Sequence, residues 1–281
     1  MMNNSLQSKK VKKNVLNISK FTFLGLVLFF TYFPLLIIAL LSFNTDNSGN
    51  DFTGLTLEWY SKMFQDDNLM SAIKNTLLIA ILSTLISTIL GTLTAIGINA
   101  INKKYKKYLI FLNNVPIINA DIVTGIFLLI LFTILGNIIG IRLLGFNTLL
   151  IAHVLFSTPY VVLSVLPKLN ELDKNLFDAA LDLGCTPYYA LRKIIVPSIK
   201  SGIFAGMFFA FTMSIDDFVI SYFVSGVEIE NFSIWLYGSL KITKNDPWPK
   251  ACAYNTLIMF ITIFGVGIYT YIQHKKKGKK I

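Results

Sequence analysis

Apolar runs long enough to cross a bilayer alternate with short polar segments along this chain. Phe21 to Phe43 carries no charge, and at ~1.5 Å per helical residue it reaches across a hydrocarbon core of about 30 Å with length left for tilt. Comparable runs recur near Ile73 to Ala100, Leu109 to Leu135, Thr148 to Leu166, Ile199 to Val224 and Ala251 to Ile272. The pattern predicts an all-α integral membrane protein with six transmembrane helices. In the second run Ser83, Ser87, Gly91 and Thr94 recur at helical spacing, a face of small residues on which another helix can approach closely.

Composition agrees, with 54% hydrophobic and 14% charged residues. Charge then sets an orientation. Most of the 25 Lys and Arg lie before the first run (Lys9, Lys10, Lys12, Lys13, Lys20), between the second and third (Lys103, Lys104, Lys106, Lys107), between the fourth and fifth (Lys168, Lys174, Arg192, Lys193, Lys200) and after the sixth (Lys275, Lys276, Lys277, Lys279, Lys280). The positive-inside rule makes these segments, and both termini, cytoplasmic. The expected organisation is a basic amino terminus at 1–20, a six-span domain at 21–272 and a basic tail at 273–281. The first run is longer than a signal-peptide core and lacks a cleavage-like A-x-A, so it is expected to remain as a span.

The net charge of +10 is therefore a topology signal, dispersed over the ends of spans and not gathered into a nucleic-acid footprint. Cys185 and Cys252 fall on opposite sides of the membrane, so neither a disulfide nor a metal site is expected from them. His153 and His274 stand alone in sequence and read as structural. No Walker A pattern occurs, so no ATP site is expected on this chain. Trp59, Tyr60, Trp235, Tyr237 and Trp248 fall in or beside the outer loops and read as headgroup-level anchors.

A polar, helix-forming insert at 171–197 interrupts the apolar pattern. Asp173 is placed to cap a helix running to about Leu183, with Asp178 and Asp182 on one face. Gly184 supplies a left-handed turn, Thr186 and Pro187 start a second helix, and Pro197 closes it. From the residues alone, two readings are open: an elbow that covers helix ends, or a docking surface.

The stretch D-A-A-L-D-L-G-C-T-P-Y-Y-A-L-R-K-I-I-V-P resembles the E-A-A-x3-G-x9-I-x-L-P motif of permease subunits of type I ABC importers, with the MetI-like fold. Ala179, Ala180, Gly184, Ile194 and Pro197 match, while Asp178 stands for the glutamate and Val196 for the leucine. The resemblance implies cytoplasmic coupling helices in which Asp178, Ala179, Ala180 and Gly184 touch a separate ATPase. It also implies a prokaryotic cell membrane, a second homologous permease, an ATPase dimer that holds the ATP and magnesium, and an external substrate-binding protein.

A second likeness concerns cargo. S-I-D-D-F-V-I-S-Y-F-V-S-G at Ser214 to Gly226, F-T-G-L-T-L-E-W-Y at Phe52 to Tyr60, A-D-I-V around Asp121, and L-D-L-G-C-T-P resemble PotC-type permeases of spermidine/putrescine importers. A carboxylate inside a membrane costs at least ~2.5 kcal/mol, so Asp121, Asp216 and Asp217 should face a cavity, a partner helix or an ion path. Ser214, Asp217, Ser221 and Ser225 share a helical stripe that could line a cation path, whereas Asp216 could meet a partner helix or cap a broken turn. Phe218 and Tyr222 could attract a polyamine's ammonium groups through their ring faces. Packing or gating by the aspartates stays open, as do a thiamine or iron cargo on the same architecture and proton-coupled secondary transport.

Overall fold

The structure, a computed structural model, describes residues 2–46, 51–173, 175–227, 229–242 and 247–277. Lys174, Lys279 and Lys280 lie outside the described residues, as do the side chains of Lys9, Lys10, Lys12, Lys13, His274 and Lys275 to Lys277. Among the described residues the regular structure is helical, apart from an isolated antiparallel bridge between Asn44 and Leu55. Its helices are α1 (Met2–Leu41), α2 (Glu58–Gln65), α3 (Asp67–Ala100), α4 (Lys103–Ile118), α5 (Asp121–Ile139), α6 (Phe146–Asn170), α7 (Leu176–Asp182), α8 (Pro187–Ala190), α9 (Val196–Ser198), α10 (Lys200–Ile215), α11 (Val219–Val224), α12 (Phe232–Ile242) and α13 (Pro247–Lys277).

Four described helices are long and apolar enough to cross a membrane: Lys20–Leu41 of α1, α3, α5 and α6. A fifth counts if the segment Pro187–Ser198 and α10, which meet at 72°, are one bent span. The last predicted run lies within α13, a helix of 31 residues. Helix extends beyond the predicted runs at several ends: α1 continues back through the basic segment to Met2, and α3 starts at Asp67 instead of Ile73.

Two predicted runs are not single helices. The third is divided between α4 and α5 by Asn119 and Ala120, whose ψ values of 142° and 136° are extended. Pro116 in the last turn of α4 weakens the helix there, and Asp121 opens α5 where a carboxylate favours the positive end of the helix dipole. The fifth is divided between α10 and α11 at Asp216 to Phe218. Apolar character alone carries both sequences through, so hydropathy does not register either break.

The chain forms two compact units, Met1–Asp66 with Ser239–Ile281, and Asp67–Gly238. In the first, α13 packs against α1 and α2. Trp59 is 2% exposed, donates from Nε1 to the Asn44 carbonyl at 2.6 Å and lies under the Lys62 ammonium, 4.5 Å from the ring centre. It fixes the fold of its segment, which corrects its reading as a headgroup anchor. Trp235, in the other unit, is likewise buried and stacks on Phe232.

The second unit is built on α3, α6 and α10. A Cβ added to Gly91 of α3 would stand 2.6 Å from the Val161 Cβ of α6, and one on Gly206 of α10 would stand 3.0 Å from the Val161 Cα. Val161 is thus gripped from both sides, and a side chain on either glycine would push the helices apart. The predicted small face holds for Ser83, Ser87 and Gly91, which are buried. Thr94 is exposed, and the buried face continues through Ala95 and Ile98 because 3.6 residues per turn carries it there.

Candidate functional site

Asp217 organises the break between α10 and α11. Its Oδ2 accepts from the Ser221 amide at 2.8 Å and the Ser221 hydroxyl at 2.7 Å, and its Oδ1 accepts from the Ile220 amide at 3.4 Å. A carboxylate here satisfies amides that the start of α11 would otherwise leave unpaired. On the other side of the residue, the Asp217 carbonyl accepts from Asn231 Nδ2 at 3.0 Å, and Asn231 Oδ1 accepts from the Ile234 amide in the first turn of α12. One residue thereby ties α11 and α12 to the end of α10.

Asp217 is not free to meet solvent, since its side chain is 8% exposed and its Oδ2 lies 3.7 Å from His153 Nε2. His153, 1% exposed, contacts Ser221 Oγ through Nε2 at 3.0 Å and Ser214 Oγ through Nδ1 at 2.6 Å; Ser214 in turn meets Ser83 Oγ at 2.9 Å. A polar chain therefore runs Ser83, Ser214, His153, Ser221, Asp217 through four helices. His153, alone in sequence and read as structural, is a buried histidine whose two ring nitrogens both have partners distant in the chain. The stripe of Ser214, Asp217, Ser221 and Ser225 exists, but it faces the interior of the unit.

The exposed groups at the break are others. Asp216 is exposed. Two residues further along the chain, Phe218 forms a triangle of rings with Tyr222 and Tyr237, with centroids 5.6 Å apart for Phe218 and Tyr222, 5.1 Å for Phe218 and Tyr237 and 5.8 Å for Tyr222 and Tyr237. Tyr222 and Tyr237 are 49% and 39% exposed. An exposed carboxylate and exposed aromatic rings on the same break offer an organic cation both ion pairing and ring attraction. Tyr237 was missed as part of this group because its position beside an outer loop has the same sequence signature as a membrane anchor.

The other break stands nearby. Lys106 of α4 donates to Asn170 at 2.8 Å, and Asn113 reaches the Pro159 carbonyl at 3.5 Å, so α4 climbs antiparallel to α6 before the chain turns into α5. Gly125, one turn past Asp121, lies against α11: a Cβ on it would meet Phe223 Cδ2 at 2.7 Å and the Ile220 Cα at 3.5 Å. The exposed Asp121 thus opens a helix that packs on α11, the helix opened by the Asp216–Phe218 break.

The insert is resolved into its parts. Gly184 has φ +83°, and Thr186 Oγ1 accepts from the Tyr189 amide at 3.3 Å ahead of Pro187, as read from the sequence. The cap of the first helix differs: α7 begins at Leu176 after Asn175, and Asp173 accepts from the Asn175 amide at 2.9 Å just before it. Pro197 does not close the second helix, which passes through a π turn at Leu191–Ile195 and α9 before breaking at Ile199. The wider π turn accommodates a proline that cannot donate to the preceding ladder.

Leu172, Leu176, Phe177, Leu191, Ile195 and Ile199 seat the insert on the core formed with Val161, Val165 and Leu169. Asp178, Ala179, Leu183, Gly184, Tyr188 and Tyr189 remain exposed, with Leu183 at 86%. Ala180 is 4% exposed and packs within the insert, so it cannot itself form part of an outer contact; Ile194 is half-buried and Pro197 exposed.

Comparison with known proteins adds a lineage to this geometry. The family described as binding-protein-dependent transport system inner membrane component matches residues 87–278. The spermidine/putrescine transport system permease protein PotC of Escherichia coli (strain K12) is 32% identical over 86% of this chain and 88% of that protein. The putrescine transport system permease protein PotI of the same strain is 33% identical over 82% of each. Among solved structures, a bacterial alginate ABC transporter in complex with an alginate pentasaccharide-bound periplasmic protein superposes with a TM-score of 0.64 at 17% identity, covering 91% of this chain and 94% of that one.

Proposed function

Because this chain belongs to the family of binding-protein-dependent transport system inner membrane components, we propose that it is the membrane-spanning permease of an ATP-driven ABC importer for polyamines. The chain is a multi-pass inner-membrane transport component and not an enzyme in its own right. The observation that carries the cargo is the likeness, over more than four-fifths of the chain, to two permeases whose names specify spermidine and putrescine or putrescine. Fold does not decide cargo, since the superposing transporter is bound to alginate-loaded protein.

The break around Asp216 supports the reading physically. A polyamine presents ammonium groups separated by methylenes, and Asp216 with the Phe218, Tyr222 and Tyr237 rings offers both ion pairing and apolar aromatic surface. Asp121 supplies a further carboxylate at the start of the neighbouring α5, and Asp217 shapes the break from within. The pathway is completed by a second, homologous permease.

The insert is the contact for the ATPase dimer. Asp178, Ala179 and Gly184 form its exposed ridge together with Leu183 and Tyr188, while Ala180, Ile194 and Pro197 maintain its shape. Both termini and this insert are cytoplasmic, and an external substrate-binding protein delivers cargo at the opposite face. ATP-driven closure of the ATPases moves the insert and changes which side of the pathway is open.

The test is uptake of labelled spermidine and putrescine by cells that carry or lack this chain, with thiamine and iron as competitors and vanadate or an ionophore as inhibitor. Vanadate-sensitive uptake displaced only by polyamines is expected. Displacement by thiamine or iron would reassign the cargo, and vanadate-insensitive, ionophore-sensitive uptake would overturn ATP coupling.

A further inference from the structure

We propose that His153 is a positioning residue for cargo binding, holding Asp217 and through it the break that presents Asp216, Phe218, Tyr222 and Tyr237. The proposal rests on the reading of that break as part of the cargo pathway. His153 belongs to α6, but both its ring nitrogens are used by the chain that forms the break: Ser214 just before it and Ser221 just after it. It is the bridge across an interrupted helix.

The direction of the hydrogen bonds follows from proton counting. With Asp217 ionised, its carboxylate only accepts, so the single proton of the Ser221 hydroxyl points to Asp217 Oδ2 at 2.7 Å. Ser221 Oγ must then accept from His153, which places a proton on Nε2. In the neutral ring Nδ1 accepts from Ser214, whose oxygen meets Ser83 Oγ at 2.9 Å, with the Ala80 carbonyl 3.3 Å from the same Ser83 hydroxyl. From Ser214 through His153 and Ser221, each donor points toward Asp217, an arrangement in which each bond polarises the next.

Asp217 passes this constraint outward in two directions. Its carboxylate holds the first turn of α11, which carries Tyr222, and its carbonyl holds Asn231 at the start of α12, which carries Tyr237. Asp216 is the adjacent residue. Loss of the imidazole removes the donor from Ser221 and leaves Asp217 to settle without its fourth helix, so the two walls of the ring triangle lose their common reference.

The experiment measures concentration-dependent spermidine uptake by cells carrying the full-length chain with its own transporter partners, with the chain's membrane level measured alongside. His153→Ala is expected to raise KM about tenfold with a smaller fall in maximal rate, and His153→Gln, whose amide nitrogen can donate to Ser221, to return KM to within about threefold of the parent. An unchanged KM, a fall in maximal rate alone, or glutamine no better than alanine would overturn the proposal. If His153→Ala fails to accumulate, Ser214→Ala decides, because it removes the partner of Nδ1 that holds the ring and leaves all three hydrogen bonds to the Asp217 carboxylate in place: a raised KM supports the proposal and an unchanged one overturns it. If the parent takes up a different solute, the polyamine reading fails, and the same KM comparison on that solute still tests His153.

Discussion

Gly91 of α3 lies so close to Val161 of α6 that a Cβ on the glycine would stand 2.6 Å from the valine Cβ. Gly91→Ala is therefore expected to force the two helices apart and destabilise the protein by about 1–3 kcal/mol. Thermal unfolding of the detergent-purified chain should show a lower midpoint; an unchanged midpoint would mean that α6 can slide without loss.

Gly184 sits at φ +83° on the exposed turn between α7 and α8. Gly184→Asp places a charged side chain on that turn and in a backbone region that costs an ordinary residue about 1 kcal/mol. The chain should still insert, but uptake and stimulation of the ATPase should be lost. Undiminished transport would remove this turn from the docking surface.

Asp216 and Asp217 are expected to separate on substitution. Asp217→Asn replaces a charged acceptor of three hydrogen bonds, each worth about 1.5–3 kcal/mol to a charged group, and should impair uptake while the complex still assembles. It should also speed hydrogen exchange at the Ile220 and Ser221 amides. Asp216→Asn should raise KM with those amides still protected. Equal exchange in both variants would show that Asp217 does not organise the break.

Tyr237 completes the ring triangle from a different helix. Tyr237→Ala should weaken cargo affinity by about 0.5–2 kcal/mol, and Tyr237→Phe should retain most of it, because the ring face and not the hydroxyl meets the cation. A titration of uptake against spermidine concentration checks both; a phenylalanine variant as weak as the alanine would point to the hydroxyl instead.

These expectations draw on features of unequal visibility in the sequence. The turn at Gly184 and the cap at Thr186 were legible because a left-handed glycine and a serine-like cap act on their immediate neighbours. The long apolar helices α3 and α6 were legible for the same local reason. The partners of His153 were not, since Ser214 and Ser221 lie 61 and 68 residues away and only the packing of α6 on the chain around the break brings them together. The break at Asn119 was hidden because hydropathy measures how apolar a stretch is and not where its hydrogen-bond ladder stops; a broken turn at Asp216 was one of two open readings, and the residue that caps it is its neighbour Asp217.

The 72° bend at Ile199 makes a bell crank of the segment that begins at Pro187 and ends at Ile215. Ile199 is fully buried and serves as its fulcrum. The short arm is the second half of the insert, from Pro187 to Ser198, and the long arm is α10, whose 16 residues extend ~24 Å to the Asp216 break. A swing of about 10° at the fulcrum would displace the far end by ~4 Å, more than the reach of a hydrogen bond. On the proposed function, a small rotation received at the insert is therefore enlarged at the Asp216 break.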